Sequence, residues 1–176
     1  MGEMKSELLP HVDQDNNLLG LVDRTEAYTK GLPHRSVHAL IRNSAGQYLL
    51  QQRSHDKPTW PDKWDLSAGE TLRGTETFLA GLRRGVEEEL AITLHEEPEV
   101  LHDRYYSQYE WPPYKVYGII TLFRFTYDGQ IALTDGEVQA TRWANPAEIT
   151  QLIETQPENC TPWLVADWQW CVREGK

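Results

Sequence analysis

Apolar and polar positions alternate in stretches that read as strands. In HRSVHALIRNSAGQYLLQQR, Val37, Ala39 and Ile41 share one face of an extended chain. Asn43 to Gly46 supply a turn, and Tyr48, Leu49 and Leu50 resume the apolar run. This predicts a hairpin of two core strands. KVYGIITLFRFTYDG is strand-like throughout and closes on Asp128-Gly129, and EVQATRWAN predicts a further short strand. Near the start, VDQDNNLLGLVDR carries two short apolar stretches around Asp15-Asn16-Asn17, a hairpin within a small preliminary unit over residues 8–30.

The period changes over Glu76 to Ile92. At about 100° per residue, Phe78, Leu79, Leu82, Val86 and Leu90 fall within an arc of roughly 120°, the width of a buried helical stripe. Asn145-Pro146 and Thr161-Pro162 each place an N-cap residue before a proline at the first helical position, opening PAEITQLIE and WLVADWQWCV. Between the strands, SHDKPTWPDKWDLSAGE reads as a loop, because Pro58 and Pro61 exclude regular helix while Trp60 and Trp64 pin it to the body. Helices irregularly interspersed among strands predict an α+β fold, a mixed sheet covered by helices. The chain shows no internal repeat. Its 176 residues suit one domain, with residues 1–30 as an N-terminal extension.

Composition narrows the function. A formal charge of -10 disfavours long nucleic acid and anionic membrane surfaces. It leaves room for small phosphorylated molecules, since divalent cations bridge carboxylates to phosphates. Cys160 and Cys171 fit no zinc spacing and read as free thiols of a reducing, cytoplasmic compartment. No apolar run approaches the ~20 residues of a membrane helix, and MGEMKSELLP lacks an export signal core. Gly2 with Ser6 matches only a loose myristoylation pattern, given no weight. The sequence is compatible with a homodimer.

The chemistry concentrates in RRGVEEEL. On the helical wheel Gly85, Glu88 and Glu89 border the apolar stripe, Gly81 joins them, and Glu87 faces solvent. Two carboxylates beside a buried face repel each other and lose water. Arg84, four residues before Glu88, is spaced for an ion pair, and a divalent cation is the other natural partner. Periodicity alone also allows a solvated acidic helix end.

GETLRGTETFLAGLRRGVEEELAI resembles the signature of Nudix hydrolases, G-x5-E-x7-R-E-U-x-E-E-x-G-U with U aliphatic. Glu76 stands at its early glutamate, Arg84 at its arginine, Val86 and Ile92 at its aliphatic positions, and Glu88 and Glu89 at its paired glutamates. The upstream HRSVHALIRNSAGQYLLQQRS and WPDKWDLSAGE are similar to a subgroup sharing this region with isopentenyl-diphosphate isomerases. EVQATRWANPAEI resembles the late glutamate, tryptophan and short helix. The resemblance implies an α/β/α sandwich with a mixed central sheet and a loop-helix signature over residues 69–92. It implies a pyrophosphatase activity on a nucleoside diphosphate linked to another moiety, with Mg2+ or Mn2+ as cofactor. It casts Glu88, Glu89 and the Gly69 carbonyl as metal ligands. Arg84 would orient them, Glu137 would ligate metal or assist the base, and Glu76 would brace the loop against the helix.

Three signature positions differ. Glu70 and Ala91 replace the first and last glycines, and Gly85 replaces the glutamate expected as ligand or base. Glu87 points about 200° away from residue 85 and cannot substitute. Glycines inside a helix cost ~1 kcal/mol each and signal close approach by something bulky, or relaxed selection. Glu70, Glu137 and a metal-bound hydroxide remain as candidate bases. A binding module that lost its chemistry is the alternative. An isomerase ranks lower, because in the family that chemistry uses a cysteine near the start of the signature, where this chain reads WDLSAGE. Tyr105, Tyr106, Tyr109, Trp111 and Tyr114 bracket Pro112-Pro113 and read as an aromatic loop, packed or base-stacking. His34 and His38 sit in a strand, where their spacing favours structural roles over metal binding.

Overall fold

The computed structural model describes residues 6–134 and 136–176; Gly2 lies outside them. The first hairpin forms as expected. β1 (Leu8–Val12) and β2 (Leu18–Asp23) pair antiparallel, and the Asp13 carboxylate accepts from the backbone N–H groups of Asp15 and Asn17 to close the turn. A short helix, α1 (Arg24–Lys30), follows between an Asp23 cap and Gly31. It has too few turns to announce itself by periodicity.

β3 (His34–Arg42) is the organising strand. Its expected hairpin with β4 (Tyr48–Arg53) holds only at the turn, where Arg42 faces Tyr48. Beyond it the two strands splay. β3 instead pairs antiparallel with β6 (Ala68–Thr71) and parallel with β8 (Tyr114–Thr126). β4 takes β5 (Trp64–Asp65) and β9 (Val138–Ala144) as partners. The reading of residues 54–70 as all loop is therefore corrected: its C-terminal part supplies β5 and β6. The aromatic segment is corrected too. Tyr105 to Tyr114 is no loop but the end of a long hairpin between β7 (Glu99–Trp111) and β8, turning at Pro112-Pro113. Aromatic side chains fit a half-buried pleated surface, and prolines are tolerated at its turn.

The sheet is mixed and covered on both faces. One face carries Val37, Ala39 and Ile41 against α2 (Phe78–Leu90), packing on Leu82, Val86 and Leu90. The other carries Leu40, Leu50 and Leu122 against α3 (Pro146–Thr155) and α4 (Pro162–Glu174). Alternation along β3 thus sends His38 to the α4 side. Asn145 and Thr161 cap α3 and α4 as the sequence predicts, Asn145 within a full capping box with Glu148. α2 starts later than Glu76, because Thr77 caps it by accepting from Ala80 N–H. It ends at Ala91 in the left-handed conformation, φ 55°, where the signature would have placed glycine. A side chain there costs about 1–2 kcal/mol. Among the described residues no helix is long and apolar enough to cross a membrane.

Candidate active site

Arg84 is the hub of the N-terminal half of α2. Its side chain is only 15% exposed. Nε donates to Glu76 at 2.9 Å, Nη1 to Glu70 at 2.7 Å and to Glu88 at 3.2 Å, and Nη2 to the Thr71 carbonyl at 2.9 Å. Burial works against its charge, but the bonds to Glu76 and Glu70 outweigh it and raise its pKa. Glu76 also accepts from Arg73 N–H at 2.8 Å, tying the loop after β6 to the helix. Burial would raise the Glu76 carboxyl, yet Arg84 holds it below the ordinary carboxylate value. Glu88 lies on the rim. Arg73 grips both its oxygens, at 2.9 and 3.0 Å. Glu87 is exposed as the wheel predicts, and Glu89 is buried on the inner side of α2.

Gly85 is explained by its neighbour. A Cβ at residue 85 would sit far inside van der Waals distance of Glu70 Cγ and 3.1 Å from Glu70 Cβ. The Glu70 side chain crosses from β6 into the space that a side chain on the helix would occupy. Gly81 likewise admits Leu72, whose Cδ1 would lie 3.0 Å from an added Cβ. Both glycines mark close approach. The Glu70 carboxyl is pushed up by burial, with Arg84 opposing.

Two cavities meet here. The smaller, about 310 Å³, is a bowl lined by Glu7, Glu70, Glu88 and Glu137 together with Arg24 and Arg73. Glu7 pairs with Arg24 and Arg73, and Glu137 with Lys57. The larger cleft, about 340 Å³, shares Glu70, Glu137 and Arg24 with the bowl, and Gly69 opens into it. It runs past Lys57 and Arg53 to an end walled by Ser36, His38, Ser107, Tyr109, Ile120 and Trp163. Trp163 organises that end, with Trp60 and Tyr109 edge-on and the Arg53 guanidinium 5.3 Å over its ring.

The structure therefore brings Gly69, Glu88 and Glu137, all singled out from sequence, to adjoining cavities, with Arg84 and Glu76 directly behind. Glu89 lines neither cavity. Sequence reasoning missed Glu7, Arg24, Lys57 and Arg73, which lie outside the signature's defined positions. His34 is fully buried and stacked on Tyr28; burial pushes its pKa down to about 4. Cys160 and Cys171 are free thiols buried in the α3–α4 core, pushed up to about 11 by burial, and neither lines the cleft.

The model of the NUDIX domain matches residues 32–164. The chain belongs to the Nudix family. Among known proteins it is 30% identical over 159 residues to isopentenyl-diphosphate Delta-isomerase 1 of Photorhabdus laumondii, covering 89% of this chain and 90% of that protein. It is 32% identical over 139 residues to an uncharacterized Nudix hydrolase of Yersinia pestis, covering 79% and 73% of the two chains. Among solved structures, DR0079 of Deinococcus radiodurans superposes with a TM-score of 0.76 at 20% identity, over 94% of this chain and 99% of that one. That likeness establishes the Nudix fold, the α/β/α sandwich expected from the signature.

Proposed function

We propose that this Nudix protein is a metal-dependent hydrolase of a small diphosphate compound, in which Glu70 supplies from β6 the carboxylate that the family signature carries at residue 85. The observation that carries this reading is the interlock of Glu70 with Gly85: the two positions share one volume, and the carboxylate filling it is held by Arg84 beside Glu88. The apparent loss of a charged group on the helix is offset by a gain on the strand. A binding module without chemistry thereby loses its main support.

The donor chemistry of the bowl fits a hard divalent cation, Mg2+ or Mn2+, which favours carboxylate oxygens. Glu70, Glu88 and Glu137 line the bowl and would hold it, with the Gly69 carbonyl at the adjoining cleft; Glu89, buried away from both cavities, would have to turn towards the bowl to join them. As they stand, Glu70, Glu88 and Glu137 are engaged by arginine or lysine, and among the described residues no three His, Cys, Asp or Glu side chains converge as a metal site. For Glu88 and Glu137 to hold the cation, Arg73 and Lys57 would have to let go of them, and both side chains would then be free to face phosphate oxygens. The metal, when bound, neutralises diphosphate charge and acidifies water. Glu70 takes a proton from the attacking water. The water oxygen bonds to phosphorus, and the bridging P–O bond breaks with its electron pair leaving on the departing phosphate. Arg84 keeps Glu70 and Glu88 aimed at the bowl.

The isomerase relative raises a second reading, isomerisation of isopentenyl diphosphate. The thiols argue against it: Cys160 and Cys171 are sealed in the α3–α4 core, away from the cleft. The test is turnover of a diphosphate panel with magnesium or manganese. Glu70→Gln should lower kcat by at least about 100-fold in protein that remains folded. Folded protein inert across the panel, or a Gln variant as fast as wild type, contradicts the proposal.

A further inference from the structure

Behind the cleft wall lies a buried polar triad that reaches the cleft through His38 and that the hydrolytic step does not use. Asp167, on α4, is 2% exposed. Its Oδ2 accepts from His38 Nδ1 at 2.6 Å, and its Oδ1 from the Tyr105 hydroxyl at 2.5 Å. Burying a carboxylate costs several kcal/mol unless donors replace its water, and an apolar filler would serve packing at less cost. The arrangement has a directional consequence. With Nδ1 committed as donor to Asp167, the imidazole is fixed in rotation, and Nε2 is the atom left over. His38 lines the cleft, and its Cδ2 edge would be 3.7 Å from a Cβ at Gly69. Nε2 is bonded to Cδ2, the ring atom that comes nearest to Gly69 on β6. The cleft that His38 lines also carries groups that both donate and accept: the hydroxyls of Ser36, Thr59, Ser107 and Tyr109.

We propose that His38 is a specificity-determining residue, whose Nε2 exchanges a hydrogen bond with a hydroxyl-bearing group, sugar or polyol in kind, attached to the diphosphate. Asp167 and Tyr105 are its positioning residues. The assignment rests on the cleft being the substrate site proposed above. A site built around a fixed hydrogen-bonding post rejects a ligand that leaves the post unpaired. The cleft therefore disfavours a purely hydrocarbon tail, even though Ile120, Val116 and Trp163 contribute apolar wall.

The two amide replacements of histidine separate the functions of its two nitrogens. The Asn amide reaches the position of Nδ1 and keeps a donor to Asp167, while removing Nε2. The Gln amide reaches the position of Nε2 and abandons Asp167. Equilibrium binding of ADP-ribose and of geranyl diphosphate, with calcium in place of magnesium so that neither probe is consumed, is read by calorimetry beside the melting temperature. Wild type should prefer ADP-ribose. His38→Asn should weaken ADP-ribose by about tenfold, leave geranyl diphosphate unchanged and keep the melting temperature. His38→Gln should retain much of the ADP-ribose affinity but melt lower, because Asp167 has lost a donor. Unchanged ADP-ribose affinity in His38→Asn, an equal loss for both probes, or wild type that binds neither or prefers the hydrocarbon tail would each overturn the assignment. Binding needs no turnover. His38-dependent affinity in an inert protein would sink the hydrolase and leave this inference standing; turnover indifferent to His38→Asn would do the reverse.

Discussion

Carboxylates gather at both ends of the cleft, but they are held in different ways. At the α4 end Asp65 and Asp167 are 1% and 2% exposed. Their oxygens face side chains fixed by packing: Asp65 accepts from Thr161 at 3.0 Å and Trp163 Nε1 at 2.5 Å, with Arg53 at 3.1 Å, and Asp167 from His38 and Tyr105. At the α2 end Glu88 and Glu137 meet the tips of Arg73 and Lys57, long chains in reach of solvent. The first arrangement stores rigidity. The second offers oxygens that can exchange one cation for another. The difference separates acids locked by packing from the acids to which the proposed hydrolysis assigns the cation.

The largest effect should come from breaking a sealed acid. Asp65→Ala strands Arg53, Thr161 and Trp163 and should cost about 3–5 kcal/mol in chemical denaturation, the range for stripping one partner from a buried pair. A loss under about 1 kcal/mol would mean that the α4 end is no more rigid than the rim. Next comes His34, buried neutral with its pKa near 4 against an ordinary 6.5. Between those values the unfolded chain binds more protons than the folded one, so stability is full above pH 6.5 and declines as pH falls towards 4. The window should carry about 3 kcal/mol. His34→Phe, which keeps a ring against Tyr28, should flatten that part of the stability–pH curve; an unaltered slope would place the titration elsewhere. Smaller again, Gly85→Ala crowds Glu70 and should cost about 1–3 kcal/mol despite alanine's better helix propensity. Glu70→Gly in the same protein should recover most of that loss. At the exchangeable end, Glu88→Gln should move stability by less than about 1 kcal/mol, since the pair is partly exposed. It should nonetheless abolish metal-dependent turnover. A large stability loss there would erase the contrast between the two ends.

The same contrast explains what could be read in advance. The α2 stripe, the capped α3 and α4, and the strand around Ile119–Phe125 follow from local pattern and cap chemistry. β5 and β6 did not, because two to four residues carry no period and their pairing with β4 and β3 is tertiary. β7 was hidden by aromatic residues that look equally at home in a loop. At the site, Glu76, Arg84 and Glu88 lie within one loop-helix unit, and their mutual bonds span at most 8 residues of sequence. The His38–Asp167 bond spans 129 and the Tyr105–Asp167 bond 62, so no spacing rule could link them. Gly85 was conspicuous as a gap, and Glu70 as a surplus charge. That each answers the other depends on the crossing of β6 over α2, which only the fold supplies.

The exchange of Glu70 and Gly85 is the central claim, and a double-mutant cycle on kcat tests it most directly. Glu70→Gly should be nearly inactive, and Gly85→Glu impaired and less stable, because two side chains then compete for one volume. The reciprocal pair Glu70→Gly with Gly85→Glu should return turnover to within about tenfold of wild type, a coupling far beyond additive singles. Single losses that simply add in the double variant would show that the two carboxylate positions are not equivalent, and the account would fail.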